Sequence, residues 1–122
     1  MTAPQPRPSG SDRRQHLRFP AADRLLGTLI AHKLPVRVRD VGAGGFSVES
    51  MQPLATGQVE AVQLLAADDW SAVVEAKSLY CHPSVSRDGL PLFVTGYAFV
   101  PDSANAETIA TLVQKVTSVR GT

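Results

Sequence analysis

From Leu25 to Val100 the chain alternates between apolar and polar residues in short runs, broken by clusters of Gly, Pro, Asp and Ser. PVRVRD (35–40) puts Val36 and Val38 on one face and Arg37 and Arg39 on the other, and GFSVES (45–50) does the same with Phe46 and Val48. That period of two predicts half-buried strands. LLGTLIA (25–31), QVEAVQLL (58–65), WSAVVEAKSLYC (70–81) and LPLFVTGYAFV (90–100) read as further strands, although the spacing of 58–65 also suits a helix. Turn chemistry separates them at 53–58, at Asp68–Asp69 and at SRDG (86–89). Pro91 sits near a strand start, where a missing ladder donor is tolerated.

The tail changes period. In SANAETIATLVQKVTSVRG, Ile109, Leu112, Val113 and Val116 fall at i, i+3, i+4 and i+7, the spacing of a helix with one apolar face. Asp102 or Ser103 can cap its start and Gly121 its end. Six short strands followed by one amphipathic helix predict a mainly β fold, a small six-stranded antiparallel β-barrel with a C-terminal α-helix. Residues 1–12, rich in Pro, Ser and Gly, are expected to be a flexible lead, and residues 13–120 one domain. Within it, 13–20 form a basic arm, 24–100 the barrel and 103–118 the helix.

Composition agrees with one soluble unit. The 122 residues are 43% apolar and 19% charged, enough for a modest core. No apolar run approaches the roughly 18–20 residues that cross a bilayer, and the N-terminal segment has no signal-like apolar stretch. A lone cysteine, Cys81, fits a reducing cytoplasm. The net charge of +1 conceals an asymmetry. Residues 1–39 carry eight basic and two acidic side chains, net +6, and the remainder carries net −5. A basic first third points to an anionic partner.

Catalytic patterns are lacking. His16, His32 and His82 are scattered, and adjacent Cys81 and His82 point to opposite faces of a strand, so they cannot chelate together. The glycine run G-A-G-G (42–45) joins strand to strand, unlike a dinucleotide fingerprint, and no metal or nucleophile signature occurs. The expectation is a non-enzyme without metal or cofactor.

Binding chemistry is better represented. Arg14 and Arg18 are four residues apart, which places both guanidinium groups on one side of the arm. If extended, the arm would separate them by about 13 Å at ~3.3 Å per residue. Two such forks can grip two phosphates, or a phosphate and a base edge. Asp40 supplies an acceptor-only carboxylate at the head of a turn. Gly42, Gly44 and Gly45 would permit positive φ and close approach of a planar ligand. A guanine offers N–H donors to such a carboxylate, and O6 and N7 acceptors to an arginine.

These residues resemble a known family. RxxxR before the first strand, followed about twenty residues later by (D/N)xSxxG between strands, is the signature of PilZ domains. Here the first is R-Q-H-L-R (Arg14 to Arg18), extended by Arg13, and the second is D-V-G-A-G-G (Asp40 to Gly45). The resemblance runs from Arg13 to about Ser118. It implies a receptor for the bacterial second messenger cyclic di-GMP, bound singly or as a stacked dimer. Arg13, Arg14 and Arg18 would meet phosphates and guanine edges, Asp40 would hold a guanine, and Gly42 and Gly45 would line a tight turn. It further implies a stand-alone adaptor whose arm swings onto the barrel and relays the signal to a protein effector. Gly42 stands where the signature has serine, a loss of roughly 0.5–1.5 kcal/mol for one neutral hydrogen bond. The alternative is a PilZ-like interaction module that does not bind the nucleotide. A single-stranded nucleic acid partner is disfavoured, because only Phe19 lies near the arm to stack on bases.

Overall fold

The structure is a computed structural model that describes residues 18–21, 25–101 and 103–121. Arg13, Arg14, His16, Asp102 and the expected lead at 1–12 lie outside the described residues.

Among the described residues seven strands occur: β1 (Arg18–Pro20), β2 (Leu25–Leu29), β3 (Leu34–Gly42), β4 (Gly45–Ser50), β5 (Val59–Ala66), β6 (Ser71–Val85) and β7 (Pro91–Phe99). A 3₁₀ turn (Ile30–His32) joins β2 to β3, and helix α1 (Ser103–Gly121) ends the chain. Antiparallel pairing runs β3-β2-β5-β6-β7-β4 and closes through β3 and β4, so six strands form a barrel with no free edge between first and last. The six-stranded barrel and C-terminal helix expected from the periodicity are present. The segment 58–65, open to either reading, is a strand.

Two local differences have clear causes. LLGTLIA stops being a strand at Leu29, because the chain must reverse within four residues to begin β3. Lys33 takes the left-handed conformation (φ 53°) that this reversal demands. The end of the expected arm is itself a strand. Arg18, Phe19 and Pro20 pair with Gly42, Val41 and Asp40. Phe19 packs on the core while Arg18 stays exposed, so β1 pins the chain to the upper half of β3 just where β2 leaves it.

The barrel interior is filled by Leu25, Leu29, Val38, Val41, Phe46, Val48, Val62, Leu64, Val74 and Tyr97, each at most 2% exposed. Phe46 and Tyr97, opposite each other on β4 and β7, stack with centroids 5.1 Å apart, a geometry that favours ring pairs beyond simple burial. The Tyr97 hydroxyl is buried without a hydrogen-bond partner among the described residues, and its pKa is pushed up by burial, then by the charges of Glu60 and Cys81.

Helix α1 closes the structure with the apolar stripe that its spacing predicts: Leu112 and Val116 are buried, and Ile109 and Val113 pack against the same core. Asn105 anchors its first turn. The Asn105 amide donates to Val100 O at 2.8 Å and Glu75 O at 3.0 Å, and its Oδ1 accepts from the Glu75 N–H at 3.3 Å. Farther along, Lys115 Nζ meets Asp68 Oδ2 at 2.6 Å and lies 5.9 Å from the Trp70 ring centre. The hydrogen bond from Lys115, followed by one from the Trp70 backbone, holds the Asp68 carboxyl below its usual range. No helix among the described residues is long and apolar enough to cross a membrane.

Candidate functional site

Strict alternation along β3 would turn Asp40 into the barrel with Val36 and Val38, and Val41 out to solvent. The structure does the reverse, because the β3–β4 register slips between Val38 and Asp40. Val38 faces Val48 and Asp40 faces Ser47, so two residues of β3 advance against one of β4, and Arg39 is the extra residue of a β-bulge. A bulge re-aims the side chains that follow it. Val41 is thereby returned to the core, and Arg39 and Asp40, consecutive residues, both lie outside it.

Around Asp40 a compact polar cluster forms on the outer face. Arg18 Nε donates to Asp40 Oδ1 at 3.1 Å and Arg18 Nη2 reaches the same oxygen at 3.0 Å. Arg18 is paired with Gly42, one place diagonal to Asp40, a separation that a long side chain spans readily. Ser47, opposite Asp40 and only 2% exposed, donates its hydroxyl hydrogen to Oδ1 at 3.0 Å. The ion pair itself is about a third exposed on both sides, and such pairs contribute roughly 0–1 kcal/mol to stability. It holds a carboxylate and a guanidinium in fixed relation at the surface more than it holds the fold together.

The same outer row continues across the sheet. Ser47 is paired with Gly96 on β7, and Gly96 with Tyr80 on β6. A second register slip, at Leu79, brings Tyr80 to this place. Its ring lies over Gly96 so closely that a Cβ there would come within 2.2 Å of Tyr80 Cε2. Tyr80 remains 43% exposed and stacks on His82, with centroids 5.4 Å apart and planes 6° from parallel. Thus Arg18, Asp40, Ser47 and an exposed aromatic stack share one face.

The glycines correct one expectation. The glycines with positive φ among the described residues are Gly57 and Gly89, at other turns, so the turn after Asp40 does not use left-handed backbone. Gly45 is needed for a different reason: a Cβ there would stand 2.0 Å from Tyr97 O and 3.1 Å from Ala98 Cα. It lets β4 lie flush on β7 where the barrel closes. Gly42 is buried beside the cluster, opposite Arg18.

Of the residues expected to bind, the structure brings together Arg18, Asp40 and Gly42, with Gly45 just beyond the turn; Arg13 and Arg14 lie outside the described residues. Ser47 and Tyr80 were not anticipated. The signal for Ser47 was present, since GFSVES puts Ser47 on the polar face of β4; what was missing was the bulge that sets Asp40 opposite it. The cluster contains no group of metal-ligating side chains, and none occurs among the described residues.

The backbone of this barrel and its C-terminal helix is similar to that of solved structures. The PilZ domain of YcgR from Escherichia coli, solved with c-di-GMP, superposes with a TM-score of 0.70 over 88% of this chain and 94% of that one, at 14% sequence identity. The fold is that of a PilZ domain. The K. pneumonia MrkH–c-di-GMP complex gives a TM-score of 0.69 at 13% identity; 88% of this chain is covered, but the match takes in 54% of MrkH, about half its length. No protein-family model matches the sequence, and no curated protein matches it significantly. The likeness to the PilZ domain is therefore one of fold, with 13–14% of residues identical.

Proposed function

We propose that this chain is a receptor domain for cyclic di-GMP, binding it on the outer face around Arg18, Asp40 and Ser47 and relaying the signal to a protein effector. One observation carries the reading: Asp40 is turned outward by a bulge and held by Arg18 and the buried Ser47 hydroxyl, on a PilZ fold. That two solved neighbours of this fold are c-di-GMP complexes supports it.

The chemistry follows from the groups present. The Asp40 carboxylate accepts the N–H donors of a guanine Watson–Crick edge. Arg18, and Arg13 and Arg14 ahead of it in the chain, supply donors to phosphates or to the O6 and N7 edge. The exposed Tyr80 face offers a stacking surface at the far end of the row, where base–aromatic contacts are worth about 1–3 kcal/mol each. Ligand binding requires no bond making or breaking, and the domain works as a receptor and adaptor, not as an enzyme.

Calorimetric titration with cyclic di-GMP, beside an Arg14→Ala/Arg18→Ala variant, tests the reading. Binding by the wild type and its loss in the variant are expected. No heat up to about 100 µM ligand would overturn the proposal and leave the interaction module, to which Gly42 in place of serine inclines, as the better account.

A further inference from the structure

The bulge that exposes Asp40 exposes its neighbour too. Arg39 Nε lies 3.6 Å from Glu49 Oε2, and Glu49 is two places along β4 from Ser47, on the same outer face. Beside this pair opens a cleft of ≈ 690 Å³, within the size range of small-molecule sites. Its walls are Pro20 of β1, Arg37 and Arg39 of β3, Glu49 of β4, and Arg87 and Asp88 at the tip of the β6–β7 hairpin. That hairpin pairs out to Val85 and Pro91 and so brings its tip to the cleft. Three guanidinium-bearing and two carboxylate-bearing side chains thus face one volume, next to the cluster at Asp40.

We infer that this cleft is a second nucleotide subsite, in which Glu49 reads a guanine edge and Arg39 and Arg87 take phosphate or the O6 and N7 edge. The inference rests on the proposed function and deepens it. Cyclic di-GMP is two-fold symmetric, so its two guanines call for the same recognition chemistry. The outer face carries that chemistry twice, as Arg18–Asp40 and as Arg39–Glu49, with the two β3 members adjacent in sequence. A bare carboxylate would repel a phosphodiester, and the guanidinium beside each one offsets that repulsion. A cross-strand ion pair serving stability alone would require neither the cleft nor Arg87.

Selectivity distinguishes recognition from mere support. Cyclic di-GMP and the hybrid cyclic GMP–AMP are titrated calorimetrically into the wild type, Glu49→Gln, Arg39→Ala and Arg87→Ala, with melting temperatures recorded. The hybrid can still place its guanine at Asp40 but must offer adenine to Glu49. The wild type is expected to prefer cyclic di-GMP by roughly tenfold, and Glu49→Gln to bring the ratio close to one. Arg39→Ala and Arg87→Ala are expected to weaken both ligands by roughly tenfold, as for a lost charged contact. Binding by the wild type with ratio and affinity unchanged in the variants, even if melting temperatures fall, would overturn the subsite alone. No binding of either nucleotide by the wild type would overturn the proposed function, and the subsite with it.

Discussion

At Asp40 one carboxylate oxygen accepts from the hydroxyl of Ser47 and from Nε of Arg18, with Arg18 Nη2 3.0 Å away in the same ion pair, which fixes the group's orientation. Gly42, where the resemblance has serine, carries no hydroxyl, and the hydroxyl bonded to Asp40 is that of Ser47, across the ladder. Ser47→Ala should weaken cyclic di-GMP binding about fivefold to tenfold, the worth of one hydrogen bond, while Ser47→Thr retains most of it. Gly42→Ser introduced into the Ser47→Ala variant should recover part of the loss, and calorimetry of the set checks both. Gly45 makes a contrasting case, because its value is to folding. Gly45→Ala drives a methyl group into the β7 backbone at Tyr97, and about 1–3 kcal/mol of stability should be lost in urea unfolding.

Elements were legible where a period held for a whole segment. Alternation in PVRVRD and GFSVES, and the i, i+3, i+4, i+7 set in the tail, lead to β3, β4 and α1 within a few residues. What alternation cannot reveal is where it is broken. Both slips, at Arg39 and at Leu79, arise from pairing with a neighbouring strand, and each redirects a residue of the outer row. In R-D-V the run Val36-Arg37-Val38-Arg39 already falters, since Asp40 and Val41 have exchanged the faces that the pattern assigns. β1 escaped notice because three residues are too few for any period to show. The helix has a comparable hidden feature in Asn105, a polar residue on its buried side whose amide satisfies the backbone of Glu75 and Val100. Asn105→Ala removes the hydrogen bonds to the Glu75 N–H and the Val100 carbonyl, while the Glu75 carbonyl keeps the Val100 N–H, and should cost about 1–3 kcal/mol, read as a lower urea midpoint.

For the whole molecule the decisive quantity is the placement of charge, since the net charge is only +1. Residues 1–39, which hold Arg13, Arg14, Arg18, Arg37 and Arg39, carry net +6, and the barrel brings the last three of these to one side around Asp40 and the cleft. The remaining net −5 is carried by residues 40–122; of their acids, Asp40, Glu49 and Asp88 lie in this same region beside Arg18, Arg37, Arg39 and Arg87, and Asp68 lies at the helix contact. On the proposed function, a dianionic ligand would meet these guanidinium groups through largely ionic, partly exposed contacts. Such attractions are screened as the Debye length falls from about 10 Å at 0.1 M salt to about 3 Å at 1 M, whereas the apolar barrel core is not. Affinity for cyclic di-GMP should drop roughly tenfold between about 0.05 and 0.5 M sodium chloride, while the melting temperature of the ligand-free protein changes little. Arg18→Ala should bind more weakly and with a shallower salt dependence, because one screened contact has been removed. Wild-type affinity indifferent to salt would mean that the ligand is held by stacking and neutral hydrogen bonds, and that the basic first third plays no part in capturing it.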